Sequence, residues 1–375
     1  MSKVRSQTGW INKRINAVKT HRLTAFGVLA LITLSAILCI PSIVSAQFYQ
    51  KTKLVSNIPG KAAFTDPNLV NPWGIAHAPN GPWWVGDNGT GVSTLYAGTG
   101  QPSPSSTVNI PPTSGGSGNG PVTGIVFNGT SDFAVTTGNS AVYIFVTEEG
   151  TISAWNPNVD QNNAILKADN SPDANYKGVT IANNGGDNFL YVANFKGSSV
   201  DVFDTNFSQV SLGTGAFVDP NIPSDYGPFN VQNIGGKIYV AFAKIDPNTG
   251  DEIAGPGFGY VDVFNPKGKL LKRLKSGNWM NAPWGIVLAP SGFGKFSNRL
   301  LVGNFGSGRI TAFNPKNGNF KGFLRGSRGK PIIIEGLWGL EFGDGGKSGS
   351  ANTLYFAAGI NDEQDGLFGT VTPIP

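Results

Sequence analysis

The chain is predicted to be all-β: a single six-bladed β-propeller of residues 47–375, behind an export signal of residues 1–46. Three observations carry that prediction. A glycine-centred strand recurs six times, each copy is followed by two further strands in fixed order, and the two chain ends offer complementary pieces of one blade.

The recurring strand reads NPWGIAHAP (71–79), PVTGIVFN (121–128), YKGVTIAN (176–183), YGPFNVQN (226–233), APWGIVLAP (282–290) and GLWGLEFG (336–343). Each copy alternates apolar with small or polar residues, as a strand with two distinct faces should. A second strand comes next: WWVGDN, AVYIFVT, LYVANF, IYVAFA, LLVGNF and LYFAAG. The third strands are VSTLYAG, TISAWNP, SVDVFD, YVDVFNP, RITAFNP and GTVTPI. Three of them run into Asn-Pro, a turn signal at a strand end. With a variable fourth strand and a period near 50 residues, these are propeller blades. The sixth repeat stops after three strands, while FYQKTKLVS (48–56) precedes the first. That N-terminal strand is expected to complete the last blade, so that the seam has no open edge. The Pro/Ser/Gly-rich stretch 101–120 reads as a surface loop around a short outer strand, Thr107–Ile110. Longer insertions are expected at 156–175 and 244–259.

Residues 1–22 carry Lys3, Arg5, Lys13, Arg14, Lys19 and Arg22 and no acid, and 23–40 are almost wholly apolar. Val44-Ser45-Ala46 supplies the small residues of a cleavage site, so secretion to the periplasm or exterior is expected, with cutting after Ala46 and no stable span thereafter. An uncleaved anchor is the rival reading. The six cations of this segment account for the formal charge of +5; residues 47–375 carry a net −1, which excludes a nucleic-acid role argued from overall charge. The single cysteine, Cys39, also lies in the signal, so the remainder has no disulfide and is held by its core.

The segments DPNLVNPWGIAHAPNGPWWVGDNGTGVSTLYAGTG (66–100), FVTEEGTISAWNP (145–157), YVANFKGSSVDVFD (191–204), GPFNVQNIGGKIYVAFAK (227–244) and NAPWGIVLAPSGFG (281–294) resemble an uncharacterised family of exported bacterial propellers. More distantly, they are similar to NHL-repeat and gluconolactonase-like propellers. The resemblance implies fold and export, and brings no catalytic residues with it.

After the signal the only histidine is His77, placed in a strand where local hydrogen bonding outweighs catalysis as an explanation. Neither a His pair for zinc nor a cysteine nucleophile can be built. The remaining candidates sit on one face. Asp87, Asn194 and Asn304 end the second strands of blades 1, 3 and 5, with Asn88 beside the first. Glu148, Asp246, Asn361 and Asp362 fall in the corresponding loops of blades 2, 4 and 6. Loops leading into the innermost strands share that face and add Asp66, Asn68, Asn71, Tyr226, Asn281 and Glu335, with Trp73, Trp284 and Trp338. Amides and indoles together suit a carbohydrate or peptide. The oxygen ligands would admit Ca²⁺, though no cofactor is expected; turn-forming and space-filling roles explain the same residues. The string from Asp246 to Glu252 has calcium-loop spacing only in part.

Residues 265–334 hold thirteen Lys and Arg and no acid: Lys267, Lys269, Lys272, Arg273, Lys275, Lys295, Arg299, Arg309, Lys316, Lys321, Arg325, Arg328 and Lys330. This sector, blade 5 with its approaches, suits an anionic envelope polymer or simply balances acidic neighbours. The three sequons at Asn88, Asn128 and Asn206 are expected to be unused. A monomeric binding or scaffolding module is the leading expectation; a Ca-assisted lactonase and a structural envelope protein are the alternatives.

Overall fold

The computed structural model describes residues 47–374, so the export signal expected over residues 1–46 lies outside the described residues. Six sheets are arranged as blades, antiparallel except where Phe64–Thr65 runs parallel to Phe48–Ser56, and Ala134–Thr136 with Asn139–Ser140 forms a separate small hairpin. Blade 1 runs from the inside outwards through Pro72–His77, Trp83–Asp87, Val92–Tyr96 and Pro102–Asn109. Blade 2 continues with Val122–Phe127, Tyr143–Thr147, Thr151–Trp155 and Ile165–Asp169. The innermost strands of the other four are Tyr176–Asn184, Tyr226–Ile234, Pro283–Leu288 and Leu337–Phe342. The only helical pieces among the described residues are two single 3-10 turns, Gly294–Phe296 and Phe305–Ser307, so no described helix could cross a membrane.

The ring closes as the two chain ends predict. Phe48–Ser56 pairs antiparallel with Asp365–Ile374, from Phe48 opposite Ile374 to Ser56 opposite Leu367. Tyr49 pins the clasp: its buried hydroxyl donates to Phe293 O and accepts from Phe296 N–H, both at 2.9 Å. Blade 1 differs from expectation at its rim, where the outer strand is Pro102–Asn109 rather than Thr107–Ile110. The proline-bearing stretch lies on an outer edge, where a missing N–H costs no ladder bond. Both longer insertions contain strand: Ile165–Asp169 is blade 2's outer strand, and Glu252–Ile253 pairs with Lys244 and Ile245.

Alternation explains the core. Trp84 faces blade 2 with Tyr143 and Trp155, while its neighbours Trp83 and Val85 face blade 6 with Tyr355 and Phe368. Tyr143 and Phe145 turn towards blade 1, while Ile144 and Val146 turn towards blade 3. Each sheet therefore buries both faces against its neighbours, giving six inter-blade cores. A seventh, wholly different in character, stands on the axis.

Candidate functional site: the two ends of the axial channel

All six innermost strands carry a register irregularity at one position, around the glycine of the repeat in five blades and beside Asn230 in blade 4. Such a bulge re-aims a side chain, and here the residues before that position bring Trp73, Phe229, Trp284 and Trp338 together on the axis. Trp73 stacks on Trp338 with centroids 3.5 Å apart, and Trp284 meets both edge-on. Phe195 and Phe305, from blades 3 and 5, extend the cluster. The three tryptophans are buried; they plug the channel instead of offering a stacking surface.

The next layer is the glycine collar. A Cβ on Gly74 would stand 2.7 Å from Thr123 O, and one on Gly339 would stand 2.5 Å from Trp73 O. Side chains at these two positions would force neighbouring blades apart. Blade 4 has Asn230 at the equivalent place, its amide donating to Trp284 O at 2.8 Å and leaving a gap of about 30 Å³ on the axis.

In blade 3 the residue before the glycine is Lys177. Its side chain is only 2 % exposed. The ammonium lies 5.0 Å from the Trp73 ring centre and 5.9 Å from that of Phe195, and donates to Glu148 Oε1 at 2.5 Å. Asn88 donates to Glu148 Oε2 at 2.9 Å, and Asn71 donates to Asn88. Glu252 and Asp251 also act on the lysine through their charge, and Lys177 in turn acts on Glu363. Burial pulls Lys177 down, but the charges of Glu148 and then Glu252 outweigh it and hold the ammonium above its ordinary value. Burial raises Glu252, against the pull of Lys177. Burial, then Glu252, pushes Glu363 up to about 7, with Glu148 adding to the rise and Asn71 and Lys177 opposing it. Glu363 Oε1 is buried without a hydrogen-bond partner.

These glutamates have a common origin. Glu148, Glu252 and Glu363 all lie between the second and third strands, in blades 2, 4 and 6. Alternate blades thus each place a carboxyl within electrostatic reach of a lysine beside the aromatic plug. In blade 6 the delivery involves Asn361, Asp362 and Glu363, with φ of 55°, 51° and 64°. Three consecutive left-handed non-glycine residues are costly, and such outliers cluster at functional sites.

The other predicted residues serve the loops. Asp87, Asn194 and Asn304 do occupy one register position, opposite Val92, Ser199 and Arg309. Their side chains, however, turn into the blades. Asp87 is buried and accepts from Thr94 at 2.7 Å, Asn194 donates to Asp201 at 2.9 Å, and Asn304 accepts from Asn281 N–H at 2.9 Å. Asp66 accepts from Tyr96 at 2.9 Å and Asn68 N–H at 2.9 Å. Asn281 accepts from Gly255 N–H, Tyr226 packs edge-on to Tyr260, and exposed Glu335 accepts from Asn361 N–H. Asp246 closes a hairpin turn by accepting Asn248 N–H at 2.8 Å, while Glu252 at the end of the same string joins the lysine cluster. Asn361 donates to Asp365, and Asp362 is exposed. His77 meets Ala78 O at 3.1 Å and Phe342 O at 3.0 Å through its two ring nitrogens.

Of the basic residues, Lys267, Lys269, Lys275, Lys295, Arg309, Lys316, Lys321, Arg325, Arg328 and Lys330 are exposed. Lys272 donates to Pro315 O, and Arg299 is half-buried. Arg273 is committed to Asp219 and Asp262. A Ca²⁺ site does not fit the channel end that carries Lys177 and Glu148, the upper mouth: Lys177 already supplies the cation there. Among the described residues no three His, Cys, Asp or Glu side chains stand close enough to share a metal.

Lys177, Glu252 and Glu363 are absent from the face that the repeats predict. Lysine in YKGVTIAN, where three other repeats have Trp-Gly, is the readable signal for the first.

The sequence has relatives in Acanthamoeba polyphaga mimivirus. Uncharacterized protein R648 is 37% identical over 333 residues, 85% of this chain and 78% of its own length. The chain belongs to this family. Uncharacterized protein L690 of the same virus is 36% identical, over 85% of this chain and 84% of its own length. These relatives are viral, and they do not support the bacterial origin that the resemblance implied. No protein-family model matches the chain. Among solved structures, virginiamycin B lyase from Staphylococcus aureus aligns with a TM-score of 0.50 at 14% identity, covering 87% of this chain and 99% of its own. Penicillium chrysogenum alpha-L-arabinanase aligns at 0.52 and 11%, covering 86% and 97%. At such identities these similarities establish the propeller fold alone.

Proposed function

We propose that the protein is an exported binding module that receives a basic side chain of a peptide or protein partner at its upper mouth. The observation that carries this reading is the ion pair of buried Lys177 with Glu148, within the field of Glu252, beside a Glu363 whose Oε1 is buried without a partner. Burial and repulsion among the carboxyls raise Glu252 and Glu363, so a further cation at the mouth would be favoured, and Glu363 lacks a partner for one oxygen. An incoming guanidinium offers five N–H donors and the missing charge. A flat sugar is favoured less, because the indoles that would stack on it are buried in the plug. Lys177 also favours binding over metal-assisted hydrolysis, since it fills the cation's place.

Titration with a short arginine-bearing peptide and its citrulline counterpart tests the reading. The arginine peptide is expected to bind more tightly, to weaken with salt, and to lose about tenfold or more in affinity to the E252Q/E363Q double variant. Equal binding of the two peptides would contradict it.

The basic sector supports a second, separate contact. A groove of about 660 Å³ beside the clasp is lined by Lys51, Arg328 and Lys330 together with Ile332 and Ile333. Its cations and apolar floor suit an anionic polymer of the cell envelope.

A further inference from the structure

The opposite end of the axis carries a pocket that the upper mouth does not share. Two residues beyond the collar position, the innermost strands supply Ala76, Val126, Thr180, Gln232, Val287 and Glu341. All but Val287 line a cavity of about 210 Å³, walled further by Ile75, Ile125, Phe127, Val179 and His77. It adjoins the small axial gap beneath the collar, which shares Ile75, Ile125, Val179, Gln232 and Glu341. The tryptophan plug stands above that gap, so the two ends of the axis are separate.

Glu341 is the single charged residue of this ring. Burial pushes it up to about 7, opposed by the charge of His77 and a hydrogen bond from Phe342 N–H. His77 is itself held by Ala78 O and Phe342 O, with Asp344 3.8 Å from its Nδ1. No side-chain ion pair involving Glu341 exists among the described residues. Around it stand the amide of Gln232 and the hydroxyl of Thr180, which accepts Asn233 N–H at 3.1 Å and keeps a second lone pair.

We infer that this lower cavity is a binding site for a small primary alkylammonium ion. The ammonium sits on Glu341, with Gln232 and Thr180 as further acceptors, and the alkyl chain lies against Ile125, Phe127 and Val179. Three N–H donors match three acceptors. The volume falls below the usual range for larger ligands, which restricts the chain to a few carbons. A hard divalent ion would want six to eight oxygens, and the cavity offers one carboxylate. A polyhydroxylated ligand would leave hydroxyls unpaired against the aliphatic wall.

Calorimetric titration of the full chain with n-butylammonium chloride tests this. Saturable binding is expected, weakened about tenfold or more in E341Q and unchanged in D187N, an exposed carboxyl that lines neither site. n-Butanol, of the same length without the charge, is expected not to bind. The E341Q variant should melt no lower than the parent, because it removes a desolvated carboxyl, so loss of binding would not reflect unfolding. Absence of saturable binding, binding indifferent to E341Q, binding abolished by D187N, or equal binding of n-butanol would each overturn the assignment. The upper-mouth reading stands or falls separately, on the arginine peptide and E252Q/E363Q.

Discussion

Replacing Lys177 by methionine is expected to destabilise the protein by about 3–5 kcal/mol, the usual cost of removing one partner of a buried ion pair. The substitution keeps the volume beside Trp73 but removes the ammonium that offsets the repulsion between Glu148 and Glu252. Urea denaturation reads the effect as a lower midpoint with an unchanged slope. Adding E148Q to K177M should restore much of the loss, since the amide can stay hydrogen-bonded to Asn88 without carrying charge. If the single and double variants were equally unstable, the lysine would be acting through packing alone. The comparison therefore separates electrostatics from shape at the point where the candidate site touches the core.

The clasp gives the second large effect. Tyr49→Ala is expected to cost about 3–5 kcal/mol through the cavity it leaves. Tyr49→Phe should cost about 1–3 kcal/mol, because Phe293 O and Phe296 N–H lose their buried partner. The alanine variant should also release the seam before the rest of the ring. Amides of Asp365–Ile374 that pair with Phe48–Ser56 are predicted to lose hydrogen-exchange protection first. Uniform loss across all six blades would mean that the N-terminal strand is not the closing element.

The propeller is legible in the sequence because its signals are local and repeated. Alternation reports two buried faces, the glycine reports the close approach of neighbouring blades, and the missing fourth strand of blade 6 matches the spare strand at 48–56. The site is legible only in part. Asp87, Asn194 and Asn304 align by sequence as they do in the sheets, but alignment does not tell which way a side chain turns at a strand end; Thr94, Asp201 and Asn281 claim them. Trp73, Trp284 and Trp338 fall near the axis by their place in the repeat, yet the bulge that turns them into a plug depends on pairing between strands. Glu252 and Glu363 arrive from loops of unequal length, where no repeat register exists to align them. Lys177 and Glu341 are different: each puts a charge at a position that is uncharged in the other five innermost strands, and that break in the repeat stands out in the residues themselves.

Glu363 and Glu341, one at each end of the axis, are both pushed up to about 7 by burial. A carboxyl raised in the folded state binds its proton more tightly there than in the unfolded chain. It therefore favours folding at low pH, and this contribution is lost as pH rises from the ordinary glutamate range through 7. The direct test is carbon-13 NMR titration of the glutamate side-chain carboxyls in the folded protein. Two resonances are predicted to titrate near 7, one absent from E363Q and the other from E341Q. Titration of both groups in the ordinary glutamate range, near 4.3, would contradict the buried axial carboxyls on which the account of the two channel ends rests.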